Sequence, residues 1–271
     1  MENAVKFEKI SFGKRLYSML KVDFRRMMKS KLFYILIACA LVIPILMTVM
    51  MTMMDGSVSV NPQTGVETVI EGPENAWQSI GTLPVEGGET MGGMDVMSMC
   101  NINMMFMCVA VFACLFISDD FRSGYAKNLF TIRAKKTDYV VSKTLAGFVC
   151  GTFMLIAYFI GAMLGGVISG LSFELGNLTA GNIIMCMMAK ILLMLVFVSI
   201  DVVVSVAAKQ KAWLSLCGSL GAGMLLFMMV SMITPLGSTW MNVLLCLAGG
   251  ILFAVGLGAI SNVVLKKSSV V

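Results

Sequence analysis

Six long apolar runs constrain the fold of this chain more than any other feature. They cover about residues 32–54, 97–117, 144–168, 182–208, 212–234 and 241–265, and Lys190 and Asp201 are the only acidic or basic residues inside them. The hydrocarbon layer of a bilayer is about 30 Å thick, so a helix needs roughly 20 apolar residues to cross it. The pattern therefore predicts an all-α, polytopic membrane protein with six transmembrane helices.

The composition agrees with a membrane protein and excludes several functions. The sequence is 58% hydrophobic and 13% charged, against roughly 25% charged residues in a soluble domain. Its eight cysteines lie within or beside the apolar runs, which indicates buried thiols rather than disulfides. Histidine, a phosphate-binding Gly-x-x-x-x-Gly-Lys motif and a Gly-x-Ser-x-Gly motif are all missing from the sequence. We therefore expect no catalytic residues, no metal ligands and no ATPase site in this chain.

The basic residues alternate between the linkers. The first 31 residues, the linker 118–143, the turn at Lys209 and Lys211 and the end at Lys266 and Lys267 hold nineteen of the twenty. The stretch 55–96 has no Lys or Arg and seven acidic residues. By the positive-inside rule, we expect both termini to be cytoplasmic in a multi-pass protein of a bacterial cell membrane. Because the positive charges flank apolar runs, they suit membrane lipids rather than nucleic acid.

The charge and hydropathy patterns divide the chain into three parts. Residues 1–31 form a cytoplasmic segment, 32–265 a transmembrane domain with an outer loop at 55–96, and 266–271 a cytoplasmic tail. Within the first segment the spacing predicts an amphipathic helix, which either lies in the membrane interface or is solvated. Asp23 interrupts its apolar arc, which holds Leu16, Met19, Leu20, Phe24 and Met27.

The linker 118–143 carries its own helical pattern. Asp119 or Asp120 is placed to cap a short helix. An apolar edge follows at helical spacing, which would enter a groove of a partner protein or rest on lipid; its residues are Phe121, Tyr125, Leu129 and Phe130.

An amphipathic basic first helix, six spans, a large first outer loop and an acidic-x-x-x-Gly-x-x-Lys-Asn linker resemble the type-two permease family of ATP-binding-cassette exporters. Asp120, Gly124, Lys127 and Asn128 match the linker motif. The resemblance implies a coupling helix that docks on a separate ATP-binding subunit, which holds the ATP and magnesium, and a second permease copy or paralogue. The coupling residues expected here also include Asp119, Phe121, Tyr125 and Leu129.

Two features inside the spans bear on function. Lys190 and Asp201 lie on nearly one face of the fourth span, roughly 16 Å apart along a helix, too far to pair with each other. They line a substrate path, or Lys190 extends toward the membrane surface and Asp201 forms a structural hydrogen bond. In the third span, glycines predict close helix packing within the chain or between subunits; they are Gly147, Gly151, Gly161, Gly165, Gly166 and Gly170.

These features together favour the membrane-spanning subunit of an ATP-driven exporter for an amphipathic or hydrophobic substrate, such as an antimicrobial peptide or a drug. The acidic outer loop favours cationic peptides among these. An ATP-independent carrier or channel, and a membrane sensor or assembly factor, remain as alternatives. A membrane enzyme would require catalytic groups at one depth, and the sequence offers none.

Overall fold

The computed structural model describes residues 11–60, 67–69, 72–81, 101–132 and 135–267. Within these ranges the chain forms an all-helical bundle with one small hairpin. The eight α-helices are α1 (Phe12–Lys29), α2 (Lys31–Met53), α3 (Met105–Arg122), α4 (Tyr125–Ile132), α5 (Lys136–Ile168), α6 (Ala180–Ala208), α7 (Ala212–Ile233) and α8 (Trp240–Lys267). The hairpin pairs β1 (Val58–Val60) with β2 (Glu67–Val69) in antiparallel register.

The six predicted spans are confirmed as helices. By length and hydropathy, six helices within the described ranges could cross a membrane: α2, α3 with the 3-10 turn before it, α5, α6, α7 and α8. Their bounds follow the apolar runs closely for α2, α6, α7 and α8. The helices α3 and α5 instead continue into the predicted linker 118–143, because the charged groups there are paired inside the bundle rather than solvated.

The inner layer of the bundle consists of α3, α5 and α6. The helix α6 packs on α3, α5, α7 and α8, and α5 packs on α1, α2 and α6. The helices α2, α7 and α8 lie outside and expose most of their apolar side chains. In a bilayer those side chains suit contact with lipid, since hydrocarbon tails are as apolar as the side chains themselves.

The glycines of the third span pack helices within this chain. A Cβ at Gly147 or Gly151 would run into Val198 or Met194 of α6, at 2.7 Å in both cases. Gly161 and Gly165 lie against α2. The first alternative of the sequence pattern, close packing within one chain, is thus confirmed at these four positions.

The two ends of the bundle carry different structural elements, and we name them the α4 end and the loop end. The α4 end carries α1, α4, the α6–α7 turn and the last turn of α8, where Lys136 Nζ donates to the Leu265 carbonyl oxygen at 2.5 Å. The loop end carries the hairpin and a 3-10 turn at Ala76–Ser79. There Trp77 Nε1 donates to the Phe173 carbonyl oxygen at 3.1 Å, so the described part of the predicted outer loop covers the α5–α6 connection.

Candidate functional site

A buried ion pair joins the first helix to the third span at the α4 end. Asp23 of α1 is fully buried, and its Oδ1 lies 2.7 Å from Lys143 Nζ of α5. Its other oxygen accepts a hydrogen bond of 2.6 Å from the Ser142 hydroxyl. A second ion pair, Arg15 Nε to Asp138 Oδ2 at 2.9 Å, joins the same two helices nearer the start of each. The two pairs fix α1 along the first turns of α5.

Asp120, in the last turn of α3, extends this network to a third helix. Its Oδ2 lies 2.7 Å from Lys143 Nζ and accepts a hydrogen bond of 3.0 Å from the Tyr139 hydroxyl. Arg26 Nη1 lies 2.7 Å from Asp120 Oδ1, in an ion pair without hydrogen-bond geometry, and 3.9 Å from Asp23 Oδ1. We call Asp23, Arg26, Asp120 and Lys143 the charged cluster.

Local chain geometry explains why these side chains meet. Ser30 is the single extended residue between α1 and α2, so the chain changes direction there. Asp23 and Arg26 are three residues apart, which places both on the same face of α1. That face also buries Met19 and Met27 against the bundle. Asp23, which interrupts the apolar arc in the sequence, is therefore a residue through which the buried face of α1 makes its polar contacts.

The charges of the cluster balance. Two carboxylates face one ammonium and one guanidinium group, and buried charges need such pairing. Burial lowers the pKa of Arg26, but the charges of Asp120 and Asp23 outweigh it and the net shift is upward. Burial and the charge of Asp23 likewise raise the pKa of Tyr125. Arg26 therefore remains a cation and Tyr125 a neutral phenol across the physiological pH range.

The short helix α4 is attached to the cluster through an aromatic ring. The Arg26 guanidinium lies 4.4 Å from the centroid of the Tyr125 ring, a cation–π contact. Gly124 separates α3 from α4 with φ of +74°, in the left-handed region that glycine adopts without strain. The Ser123 amide donates to the Asp119 carbonyl oxygen at 2.9 Å and closes the end of α3.

The predicted coupling residues divide into an inward and an outward group. Asp120 and Phe121 are buried, Tyr125 is half-buried beside the Arg26 guanidinium, and Leu129 is half-buried against the chain's own core. Asp119, Lys127 and Asn128 are exposed on the outer surface. Of the apolar edge that the sequence pattern indicated, Phe121 packs edge-on to Tyr139, whereas Tyr125, Leu129 and Phe130 remain partly exposed.

The expectation that Asp119 or Asp120 caps the short helix is wrong. Both residues belong to the last turn of α3, and α4 begins at Tyr125, after the glycine. The capping position was misjudged because the apolar run ends at Ile117 while the helix continues for five more residues, held by the ion pairs of Asp120.

Lys190 is buried near the loop end, where its hydrogen bonds connect three segments of the chain. Its Nζ donates to Asn103 Oδ1 at 2.6 Å and to the Thr234 hydroxyl at 3.1 Å. Asn103 in turn donates to the Ser231 hydroxyl at 3.1 Å. These contacts join α6 to the turn before α3 and to the end of α7.

Asp201 lies in a second buried polar group, nearer the α4 end. Its carboxyl group is buried, and its Oδ2 has no hydrogen-bond partner among the described residues. Beside it, Cys114 Sγ donates to Ser219 Oγ at 3.2 Å, and the hydroxyls of Ser205 and Ser215 are 2.7 Å apart. Helices α3, α6 and α7 all contribute to this group.

Sequence reasoning missed the charged cluster as a unit. In the sequence, Asp23 only interrupts the apolar arc of an amphipathic helix, and Lys143 is one of several basic residues that flank an apolar run. The available signal was an acidic residue inside the apolar arc of a basic helix, which requires a cationic partner when that arc is buried.

Comparisons with known proteins identify the family of the chain. A family model described as ABC-2 family transporter protein matches residues 19–222, which is more than half of the 271 residues. The matched range begins in α1, just before Asp23, and includes α4 and the whole charged cluster. Searches of curated proteins and of solved structures found no match. With six helices able to span a membrane, the chain belongs to the ABC-2 transporter family and is a membrane permease of an ABC transporter.

Proposed function

We propose that this chain is the membrane-spanning subunit of an ATP-driven exporter in the plasma membrane of a bacterium, with α4 as its coupling helix. A separate subunit binds ATP and magnesium and docks on the outward surface of α4. Two permease copies, or one copy and a paralogue, form the transport path. Both termini and α4 lie in the cytoplasm, as the distribution of basic residues indicates.

The observation that carries the proposal is the position of Asp120. It lies five residues before Tyr125, the first residue of α4, and contacts both Arg26 of α1 and Lys143 of α5. A displacement of α4 by a partner would therefore act on α1, α3 and α5 together. Packed helices with paired charges transmit such a shift as a unit, since their contacts are discrete rather than continuously deformable.

The substrate that we propose is an amphipathic or hydrophobic molecule, such as an antimicrobial peptide or a drug, that carries positive charge. Asp201 supports this choice, because an ionisable residue inside a membrane span marks a substrate or ion path more often than not. Its Oδ2 is buried and has no hydrogen-bond partner in the described part of the chain. Lys190, which both Asn103 and Thr234 contact, suits a structural role at the loop end better.

The proposal is tested on the permease co-expressed with candidate ATP-binding subunits. Lys127 and Asn128 are exposed on α4 and contribute nothing to the charged cluster. We expect the double variant Lys127→Glu/Asn128→Asp to lose co-purification of the ATPase, and export with it, while the permease remains folded.

The control is Lys211→Glu, which makes the same Lys-to-Glu charge reversal as Lys127→Glu at an exposed residue of the α6–α7 turn at the same end of the bundle. It should leave co-purification and export intact. Export by the purified permease without any ATPase would contradict the proposal and favour an ATP-independent carrier. So would an ATPase complex that tolerates the α4 variant.

A further inference from the structure

A pocket lined by three basic side chains lies on α1, close to the point where the chain enters α2. Val22, Arg25, Arg26 and Lys29 line it from one face of the helix, and Ser30 completes the lining. Arg25 and Lys29 are exposed, and the Arg26 side chain is 32% exposed. We call these five residues the basic pocket.

The cations of the basic pocket outnumber the carboxylates that face it. Arg26 is paired within the charged cluster, where it faces Asp120. Among the described residues, no carboxylate lies within 4.0 Å of the charged groups of Arg25 and Lys29. Asp23, the one acidic residue of α1, is buried against Lys143. The basic pocket therefore carries two uncompensated positive charges.

The end of the basic pocket lies at the level of the lipid headgroups. Lys31 begins α2, which is long and apolar enough to span a membrane, so this residue lies near the edge of the hydrocarbon layer. Beyond that edge the headgroup layer is about 5–8 Å thick. Lys29 and Ser30 directly precede Lys31 and fall within this layer.

Arg25 lies at nearly the same level because α1 is inclined to the spans. Two ion pairs join α1 to α5, Arg15 with Asp138 and Asp23 with Lys143. From the first pair to the second, the chain advances about 12 Å along α1 but only about 8 Å along α5, at 1.5 Å per residue. Arg25, six residues before the start of α2, is therefore displaced from that start by only roughly 6 Å along the direction of α5.

We propose that the basic pocket binds the phosphate of one anionic phospholipid from the leaflet that surrounds α1. Arginine binds phosphate through its planar group and lysine binds it as a point charge, and a lipid phosphate at this level compensates the charge of the pocket. Exposed apolar side chains on the same helix favour a membrane surface over a free phosphate ion; they include Tyr17, Val22 and Met28. This inference is independent of the transport function proposed above.

Removal of two charges provides the test. Arg25→Gln/Lys29→Gln neutralises the two uncompensated cations and leaves Arg26 in the charged cluster. Lys14→Gln/Lys21→Gln removes the same net charge from exposed positions of the same helix that lie outside the basic pocket. It is the matched control, because an attraction spread over the whole of α1 would weaken equally in both double variants.

The measurement is native mass spectrometry of the delipidated full-length protein titrated with phosphatidylglycerol. We expect the wild type and the control to bind one lipid per chain tightly, and Arg25→Gln/Lys29→Gln to bind it about thirtyfold more weakly. Phosphatidylcholine with the same acyl chains, whose headgroup has no net charge, should bind weakly to all three proteins. Equal binding by Arg25→Gln/Lys29→Gln and the wild type would overturn the proposal, as would an equal loss in both double variants.

Two further measurements separate the lipid from other occupants. Inorganic phosphate in large excess should not displace phosphatidylglycerol, and displacement would show a site for soluble anions instead. If an acidic surface of the ATP-binding subunit occupied the basic pocket, Arg25→Gln/Lys29→Gln would lose co-purification of that subunit while lipid binding stayed at the wild-type level. Either result would overturn the proposal.

Discussion

Lys143 Nζ lies 2.7 Å from Asp23 Oδ1 in the interior of the bundle, although the two residues are 120 positions apart in the sequence. The same ammonium group lies 2.7 Å from Asp120 Oδ2 and 4.1 Å from the centroid of the Phe116 ring. One side chain thus holds the first helix, the end of the second span and the start of the third. Removal of a single member of such a buried network leaves the others without compensation.

Lys143→Met should be strongly destabilising. It leaves the Asp23 and Asp120 carboxylates buried with only Arg26 as a cation, and breaking a buried pair costs about 3–5 kcal/mol. The double variant Asp23→Asn/Lys143→Met removes one charge of each sign and should recover part of this loss. Unfolding in detergent micelles measures the free energies of the two single variants and of the double variant. Lys21→Met, on the exposed side of α1, is the control. Simple additivity of the two single effects would contradict the pairing.

Arg26→Lys should weaken the coupling of transport to ATP hydrolysis without lowering the stability of the protein. Lysine retains the charge beside Asp120 but lacks the planar group that stacks on Tyr125, a contact worth about 1 kcal/mol. We expect the free energy of unfolding to change little, while the amount of substrate moved per ATP hydrolysed falls several-fold. The neighbouring Arg25 is exposed, and Arg25→Lys should leave that ratio unchanged. If both variants behave alike, the stacking of Arg26 on Tyr125 plays no part in coupling.

The spans could be predicted from the sequence because a single physical requirement fixes them. A helix in hydrocarbon must satisfy its backbone internally and present apolar side chains over the full thickness of the bilayer. Every apolar run accordingly became a helix, and even Pro44 lies inside α2 rather than at its end. The close helix approaches at Gly147 and Gly161 also followed from a local spacing rule.

The partners of individual polar groups could not be predicted in this way. Nothing local in the sequence relates Asp23 to Lys143, or Lys190 to Asn103, because these contacts depend on how distant helices pack. The same holds for Phe121: helical spacing places it on an apolar edge, and only tertiary packing shows that its ring lies against Tyr139.

Gly124→Ala should destabilise the connection between α3 and α4. An L-residue with φ near +74° costs about 1 kcal/mol relative to glycine, and no atom near the Cβ would compensate for it. Gly221→Ala is the opposite case, because Gly221 lies in the interior of α7 with open space around its Cβ. That change should raise the free energy of unfolding by about 0.5–1 kcal/mol. A stabilising Gly124→Ala would show that the left-handed turn is not required.

Gly161→Ala should loosen the packing of α2 on α5. A methyl group there would run into the Leu41 carbonyl oxygen and come within 2.8 Å of the Pro44 ring. Because backbone cannot yield as a flexible side chain can, we expect a loss of about 1–3 kcal/mol. Thermal unfolding in detergent measures the loss, with Gly256→Ala as the control at an open position. Equal melting temperatures for the two variants would contradict the close approach.

Asp201→Asn distinguishes a residue of the transport path from a structural one. Asn preserves the shape of the side chain but removes an ionisable carboxyl group whose Oδ2 has no hydrogen-bond partner among the described residues. Since a buried carboxyl group without a cationic partner is unfavourable, the variant should be at least as stable as the wild type. If the carboxylate instead serves a cationic substrate, export should fall by about tenfold, because hydrogen bonds to charged groups are worth about 1.5–3 kcal/mol.

The control for Asp201→Asn is Ser199→Ala, two residues earlier on α6. The Ser199 hydroxyl donates to the Leu195 carbonyl oxygen of its own helix at 2.6 Å. It should leave export unchanged. If Asp201 has only a structural role, Asp201→Asn should either lower stability and export together or leave both unchanged. Export lost at full stability is the combination that only a role in the path explains, and export retained at full stability would remove Asp201 from the path.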